Sequence, residues 1–301
     1  MPSNTEPSAA MRKFADLLRA RPPAPASVTG RRRQMEQAQA RLSLPADVRS
    51  RDFSLAGRRA RWFETPASRG DHVVLYLHGG AYMMGSLATH GELMARIARA
   101  CRCRVLGIDY RLAPEFPAPA ALDDALAAYR WLLAQGVAPA RLMLGGDSAG
   151  GGLALATLMA LRDGGEPLPA GALLLSPWTD LSGSGASMTA RAEADPMLDA
   201  AFLREAAALY CAGTDPRAPG VSPHFGDFCG LPPLLIQAGD AEILLDDSTR
   251  AAAAARSAGA RVELAVWSGA FHVFQSFPQL PESTEALAMI GEFFARNTAA
   301  Q

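Results

Sequence analysis

The sequence predicts an α/β protein with a mostly parallel sheet flanked by helices. Two observations point there. From Arg58 onward, short apolar runs alternate with segments of helical periodicity. In the middle of that series an apolar run ends in Gly146-Asp147-Ser148-Ala149-Gly150, a glycine-flanked turn between a strand and a helix.

The elements follow in order. Residues 58–64 read as a strand, and residues 71–78 (DHVVLYLH) as a strand buried on both faces. Residues 88–100 have helical spacing, and 104–109 (RVLGID) return to strand. A helix over 122–135 stops before Gly136. Residues 141–145 (RLMLG) form the strand before the glycine turn, and 150–161 a helix of small residues that can pack close to it. Strands at 172–176 (ALLLS), 234–238 (LLIQA) and 262–267 (VELAVW), with helices at 246–258 and 283–296, complete the series. Strands joined by helices of this length pair in parallel. Between about 181 and 231 the rhythm breaks into a Gly/Ser-rich loop, one helix over 199–211 and a Pro-rich stretch. This reads as an insertion over the carboxyl ends of the strands, where open α/β sheets bind ligands.

Composition excludes several classes. Of 301 residues 49% are hydrophobic, enough for a sizeable core, and 29 basic against 30 acidic residues leave a net charge of −1. That balance gives no general attraction to nucleic acid or anionic membrane. No apolar run approaches the roughly 18 residues of a membrane span. The polar start, residues 1–10, has no apolar leader segment, so the cytoplasm is the expected location. Cys101, Cys103, Cys211 and Cys229 lack metal-site spacing and read as reduced thiols, the first two facing one side of a strand start. Neither a metal nor an organic cofactor is expected. The first 50 residues differ from the rest: an amphipathic stretch over 11–20, then Arg-Pro-Pro-Ala-Pro, then an Arg-rich run over 31–41. The run reads as a solvated helix face, with nucleic-acid binding as the competing reading.

The chemistry centres on Ser148. A sharp strand-to-helix turn would present its hydroxyl at the sheet edge; the plain alternative is an idle serine in a glycine turn. A serine nucleophile needs a base held by a carboxylate. Of five histidines, His272 lies five residues past the last strand, where that base belongs. The acid should follow the preceding strand, where Asp240 and Glu242 both lie within reach and spacing does not separate them. Asp246 and Asp247 instead open the next helix, where carboxylates favour the dipole. His78-Gly79-Gly80-Ala81-Tyr82 follows a strand and can supply backbone N–H groups to a developing oxyanion. The donors would be Gly80, Ala81 and Ala149.

The motifs His78-Gly79-Gly80-Ala81-Tyr82, Asp109-Tyr110-Arg111-Leu112-Ala113-Pro114-Glu115, Gly146-Asp147-Ser148-Ala149-Gly150 and Phe271-His272-Val273-Phe274 occur in this order. Together they resemble the hormone-sensitive-lipase family of bacterial esterases, in the α/β-hydrolase superfamily, over about residues 53–294. The resemblance implies a mostly parallel eight-stranded sheet with a helical cap. Residues 1–52 and 181–230 would form the cap, and 53–180 with 231–301 the catalytic domain. The implied activity is a serine carboxylesterase acting on short-chain acyl esters through an acyl-enzyme. A lactone hydrolase or small-metabolite deacetylase is the alternative within the family, and a catalytically silent ligand-binding protein the alternative outside it. Many members carry their acid at the first position of a DPLxD motif. Laid on Glu242-Ile243-Leu244-Leu245-Asp246, that motif selects Glu242, as in members with a similar run that use glutamate, and leaves Asp240 as the alternative. Ala81 stands where the family usually has a third glycine, and its N–H can serve if its φ is negative. Met83, Met84, Trp178, Leu198, Phe202 and Phe274 are candidates for pocket lining or for ordinary core. The family often forms homodimers through the last strand, here Val262–Trp267.

Overall fold

The computed structural model describes residues 6–39 and 42–298; the first five residues, the end of the Arg-rich run and the last three residues lie outside them. Eight strands form one sheet: β1 (Arg49–Leu55), β2 (Arg58–Glu64), β3 (Arg69–Leu77), β4 (Cys103–Ile108), β5 (Leu142–Asp147), β6 (Gly171–Leu175), β7 (Leu234–Gly239) and β8 (Val262–Trp267). Their spatial order is β1-β2-β4-β3-β5-β6-β7-β8. β2 runs antiparallel to both neighbours, and every pair from β4 to β8 is parallel.

Side-chain alternation splits the core into two layers. Val73, Leu75, Leu77, Leu142, Leu144, Leu174 and Ile236 face α4 (Ala120–Ala134), α5 (Ala149–Asp163) and α8 (Leu245–Ser257). Val74, Tyr76, Met143, Leu173 and Leu235 face α3 (Leu87–Cys101) and α9 (Pro281–Thr298). Both faces are covered, so the central strands read as continuous apolar runs. The expected strands and major helices form within a few residues of their predicted bounds. β1 was not predicted: it is mostly exposed and charged, so it carries no alternation, and it crosses the boundary expected at residue 52. Cys101 ends α3 and Cys103 opens β4, with Arg102 in a left-handed conformation between them (φ 47°), so the two do not share a strand face.

The amino-terminal segment packs on the carboxyl-terminal side of the sheet. α1 (Ala9–Arg19) buries Met11, Ala15 and Leu18 against Trp267, Phe271, Phe274 and Leu280. Ser8 caps it, accepting from Met11 N–H, and bonds Glu282 through its own N–H and hydroxyl. α2 (Val28–Gln39) buries none of its described residues. It is held instead by arginines. Arg31 pairs with Glu205 at 2.9 Å, and Arg32 donates to Met83 O (2.7 Å), Ala113 O (2.9 Å) and both oxygens of Glu115. The predicted solvated arginine face is therefore corrected at these two positions, where the guanidinium groups tie α2 to the body. The insertion carries α6 (Ser187–Ala190) and α7 (Ala200–Cys211). No helix among the described residues is long and apolar enough to cross a membrane.

Candidate active site

The turn after β5 places Ser148 at φ 53°, ψ −124°, a left-handed conformation that an L-residue adopts only under constraint. The constraint is the close approach of strand and helix. A Cβ on Gly146 would lie 2.2 Å from Gly150 O, and one on Gly150 would lie 2.0 Å from Leu77 O. Both flanks must be glycine. Ser148 is further fixed through its backbone, donating to Leu175 O (2.8 Å) and accepting from Trp178 N–H (2.9 Å).

His272 lies in the loop after β8 and Glu242 in the loop after β7. Glu242 is fully buried, and its Oε2 stands 2.6 Å from His272 Nδ1. Its Oε1 accepts from Ser176 Oγ (2.9 Å) and Gly239 N–H (2.7 Å). Ser176 Oγ in turn accepts from Val273 N–H (3.1 Å), so one hydroxyl beside the elbow links the acid loop to the histidine loop. Burial alone would lower the His272 pKa; the Glu242 carboxylate outweighs it and holds the imidazole above its ordinary value. With Nδ1 on Glu242, Nε2 is the ring nitrogen left to act as a base. Asp240 is spent elsewhere: its Oδ1 accepts from Gly269 N–H (2.6 Å) and fixes the turn before His272. The geometry thus brings Glu242, not Asp240, to the imidazole.

The glycine loop after β3 is shaped from behind. Gly79 N–H donates to Asp147 Oδ1 (3.1 Å), a carboxylate that also takes Tyr76 OH (2.9 Å) and stands 3.3 Å from His90. Tyr110 OH donates to His78 O (2.6 Å), and Ala113 N–H to Tyr82 O (2.9 Å). The Asp109–Glu115 run thus builds the floor of this loop. His78 is buried, stacked on Tyr110 and held neutral by desolvation, its pKa down to about 3. Gly80, Ala81 and Tyr82 all have positive φ (119°, 54° and 58°). The condition of a negative φ at Ala81 is not met: the loop turns through three successive left-handed residues, alanine occupies a conformation that favours glycine, and its N–H is left unpaired among the described residues all the same. Among the described residues, the N–H groups of Gly80, Ala81 and Ala149 have no partner within the chain, although Ala81 and Ala149 are buried. Such donors are suited to an anion.

Of the six candidate lining residues, Met84, Leu198 and Phe202 are half-buried at the edge of the main apolar cluster. Met83 and Trp178 are fully buried within it. Phe274 is fully buried against Trp267 and α1, on another cluster. These three are core by their packing. Two open hollows of about 410 and 510 Å³ lie away from Ser148, around Arg58 and Asp109 and around Trp62 and Trp131. No cluster of three or more potential metal ligands occurs among the described residues. Sequence reasoning missed Ser176 and the docking role of Arg32, since neither lies in a recognisable motif.

Comparison with known proteins agrees with this fold. A family model described as alpha/beta hydrolase fold matches residues 74–276. An acetyl-hydrolase of Streptomyces hygroscopicus is 49% identical over 240 residues, covering 79% of this chain and 80% of its own. An esterase of Acinetobacter venetianus is 39% identical, covering 82% of each chain. A solved esterase from the bacterial hormone-sensitive lipase family superposes with a TM-score of 0.94 at 45% identity, over 98% of this chain and all of that one. EstE5, crystals of which were soaked with p-nitrophenyl butyrate, gives 0.93 at 42% identity, over 97% and 100%. The chain belongs to the alpha/beta hydrolase fold family, in its hormone-sensitive-lipase branch.

Proposed function

We propose that this carboxylic ester hydrolase works through Ser148 as nucleophile, His272 as general base and Glu242 as the acid that orients it. The observation that carries the reading is the buried 2.6 Å contact between Glu242 and His272, tied through Ser176 to the strand ends beside the elbow. Ser148 Oγ attacks the ester carbonyl while its proton passes to His272 Nε2. The carbonyl oxygen becomes an oxyanion held by the N–H groups of Gly80, Ala81 and Ala149. His272 then returns the proton to the leaving alcohol, and water hydrolyses the acyl-enzyme by the same route. Glu242 stabilises the imidazolium without taking its proton. Because its pKa is raised, His272 loses its basic form at a higher pH than a free imidazole, so activity falls on the acid side. No metal or organic cofactor enters this mechanism.

Of the expected cap, residues 1–48 and 181–230 cover the catalytic domain, while 49–52 belong to β1 of the sheet. Two links between them support this: Arg19 donates to Ala194 O (3.0 Å), and Arg31 reaches Glu205 and lies 5.0 Å over the Phe202 ring. The substrate is a short-chain acyl ester, in keeping with relatives named acetyl-hydrolase and esterase. The cytoplasm as location is supported by four free cysteines. A homodimer through β8 is supported by its place at the sheet edge.

The test is hydrolysis of p-nitrophenyl butyrate by the wild type and by Ser148→Ala. Near-complete loss in the variant is expected; equal rates would remove Ser148 from the mechanism. Parallel assays on lactones and acetylated small metabolites separate the substrate classes.

A further inference from the structure

The insertion brings a carboxylate to the acid–base site that the mechanism above does not use. Asp195 lies between α6 and α7 and is 9% exposed. Its Oδ1 accepts from the N–H groups of Met197 (2.8 Å) and Leu198 (3.0 Å). Its Oδ2 leaves its own loop and accepts from Ile243 N–H (2.9 Å), the peptide that follows Glu242. Burial pushes the Asp195 carboxyl above its usual range; the three backbone donors and the nearby His272 pull it back. His272 is a neighbour whose positive charge, when protonated, favours the Asp195 carboxylate. A carboxylate buried without a permanent cation gains most when that imidazole is protonated.

We propose that Asp195 is a positioning residue of the esterase reaction: its bond to Ile243 N–H sets the loop that carries Glu242, and its charge supports the His272 imidazolium. The inference rests on the triad reading above. Among the groups acting electrostatically on His272 are three carboxylates: Glu242 from the loop after β7, Asp195 from the insertion and Asp147 from the elbow. Glu242 holds the imidazole by hydrogen bond. Asp147 already faces His90, besides Tyr76 OH and Gly79 N–H. Asp195 bonds only backbone N–H groups and forms no ion pair with an arginine or lysine among the described residues. When the Ser148 O–H bond breaks and the new C–O bond forms, the proton moves to Nε2 while the Nδ1 proton stays on the ring. Neither carboxylate is protonated, and both stabilise the ion formed. The covering segment thus contributes charge to the chemistry beneath it.

The experiment compares wild type, Asp195→Asn and Asp195→Glu on p-nitrophenyl butyrate over about pH 5 to 9. In Asp195→Asn, kcat is expected to fall about tenfold with KM changed by less than about threefold. The acid limb of kcat/KM moves to lower pH by about half a unit, because His272 loses a stabilising negative charge. Asp195→Glu restores the position of the limb. The His272 ring titration, followed by NMR in Ser148→Ala with and without Asp195→Asn, reads the same shift without turnover. If the amide variant does not fold, Asp195→Ser removes the same charge and gives the same comparison. An unmoved limb and an unmoved His272 titration overturn the proposal, whatever the loss in kcat. Activity that survives Ser148→Ala instead overturns the triad reading, so the two failures are told apart by one variant.

Discussion

Replacing Glu242 by glutamine keeps the shape of the side chain, and the outcome follows from what each oxygen does. Oε1 accepts two hydrogen bonds, from Ser176 Oγ and Gly239 N–H. The atom at Oε1 has to remain an acceptor, because Gly239 N–H can only donate. The carboxamide oxygen must therefore occupy the Oε1 position, and its NH₂ group points at His272 Nδ1, 2.6 Å away in the wild type. Two N–H groups cannot face each other. The imidazole moves its proton to Nε2 and presents a donor where a base is needed. The expected loss in kcat is about 10³–10⁴-fold, on the order of 4–5 kcal/mol of barrier. KM should stay within about threefold, since Glu242 lies behind the imidazole and does not touch substrate. Asp240→Asn is the control: its amide oxygen can still accept from Gly269 N–H, so kcat should hold within about threefold. Initial rates on p-nitrophenyl butyrate measure both, with thermal unfolding to verify the fold. A Glu242→Gln enzyme within tenfold of wild type, alongside a crippled Asp240→Asn, would refute the tautomer reasoning and move the acid to Asp240.

Three further predictions concern the supports of the site. A methyl on Gly79 would sit 2.1 Å from Asp147 Oδ2 and 3.0 Å from Asp147 O; Gly79→Ala should cost more than about 100-fold in kcat and lower Tm by several degrees, and near-normal kinetics would contradict the rigid floor described here. Ala81→Gly relieves a left-handed alanine but loosens the unfolded chain, so Tm should be equal to wild type or up to about 2 °C higher, with kcat within about threefold. A tenfold loss would mean that the methyl shapes the substrate. Burial pushes the Asp247 carboxyl up to about 7, although Thr179 and Asp180 N–H groups bond it. A folded pKa above the unfolded one means that its contribution is most favourable in acid and erodes as pH climbs through that range. Asp247→Asn keeps the acceptor without the charge, so its Tm advantage over wild type should grow by a few degrees from about pH 5 to pH 8; an advantage flat with pH would show that desolvation of the charge is not the cause.

Much of the frame was legible because its signals are local. The central strands are apolar on both faces, and all but β6 are followed by a helix of ordinary periodicity. Ser148 could be read from the glycines that its turn needs, and His272 from its position after the last strand. The acid could not be chosen by spacing: Asp240 and Glu242 leave the same loop, and only the resemblance to a motif pointed to Glu242. β1 escaped because a mostly exposed edge strand, rich in charge and serine, has no alternating burial pattern. The arginines of α2 were read as solvated because their acceptors, Met83 O, Ala113 O and Glu115, lie 51 to 83 residues away. Ser176 and Asp195 were invisible for the same reason, since their roles exist only once separate loops meet. The φ of Ala81 is set by the packing of a whole loop, which one residue's identity does not encode.

The placement of α1 bears on how the molecule is made. The Ser8–Glu282 bonds span 274 positions, and the apolar face of Met11, Ala15 and Leu18 rests on residues 265–286. During translation this helix leaves the ribosome well before its partners and finds no surface to cover until β8 and its loop emerge. At roughly 5–20 residues per second, it waits on the order of ten seconds or more with that face open to chaperones or to neighbouring chains. Its contact with the histidine loop is among the longest loop closures in the fold, and therefore among the last to form. The histidine loop of a nascent chain thus stays uncovered until residues near 282 are free to fold back on α1.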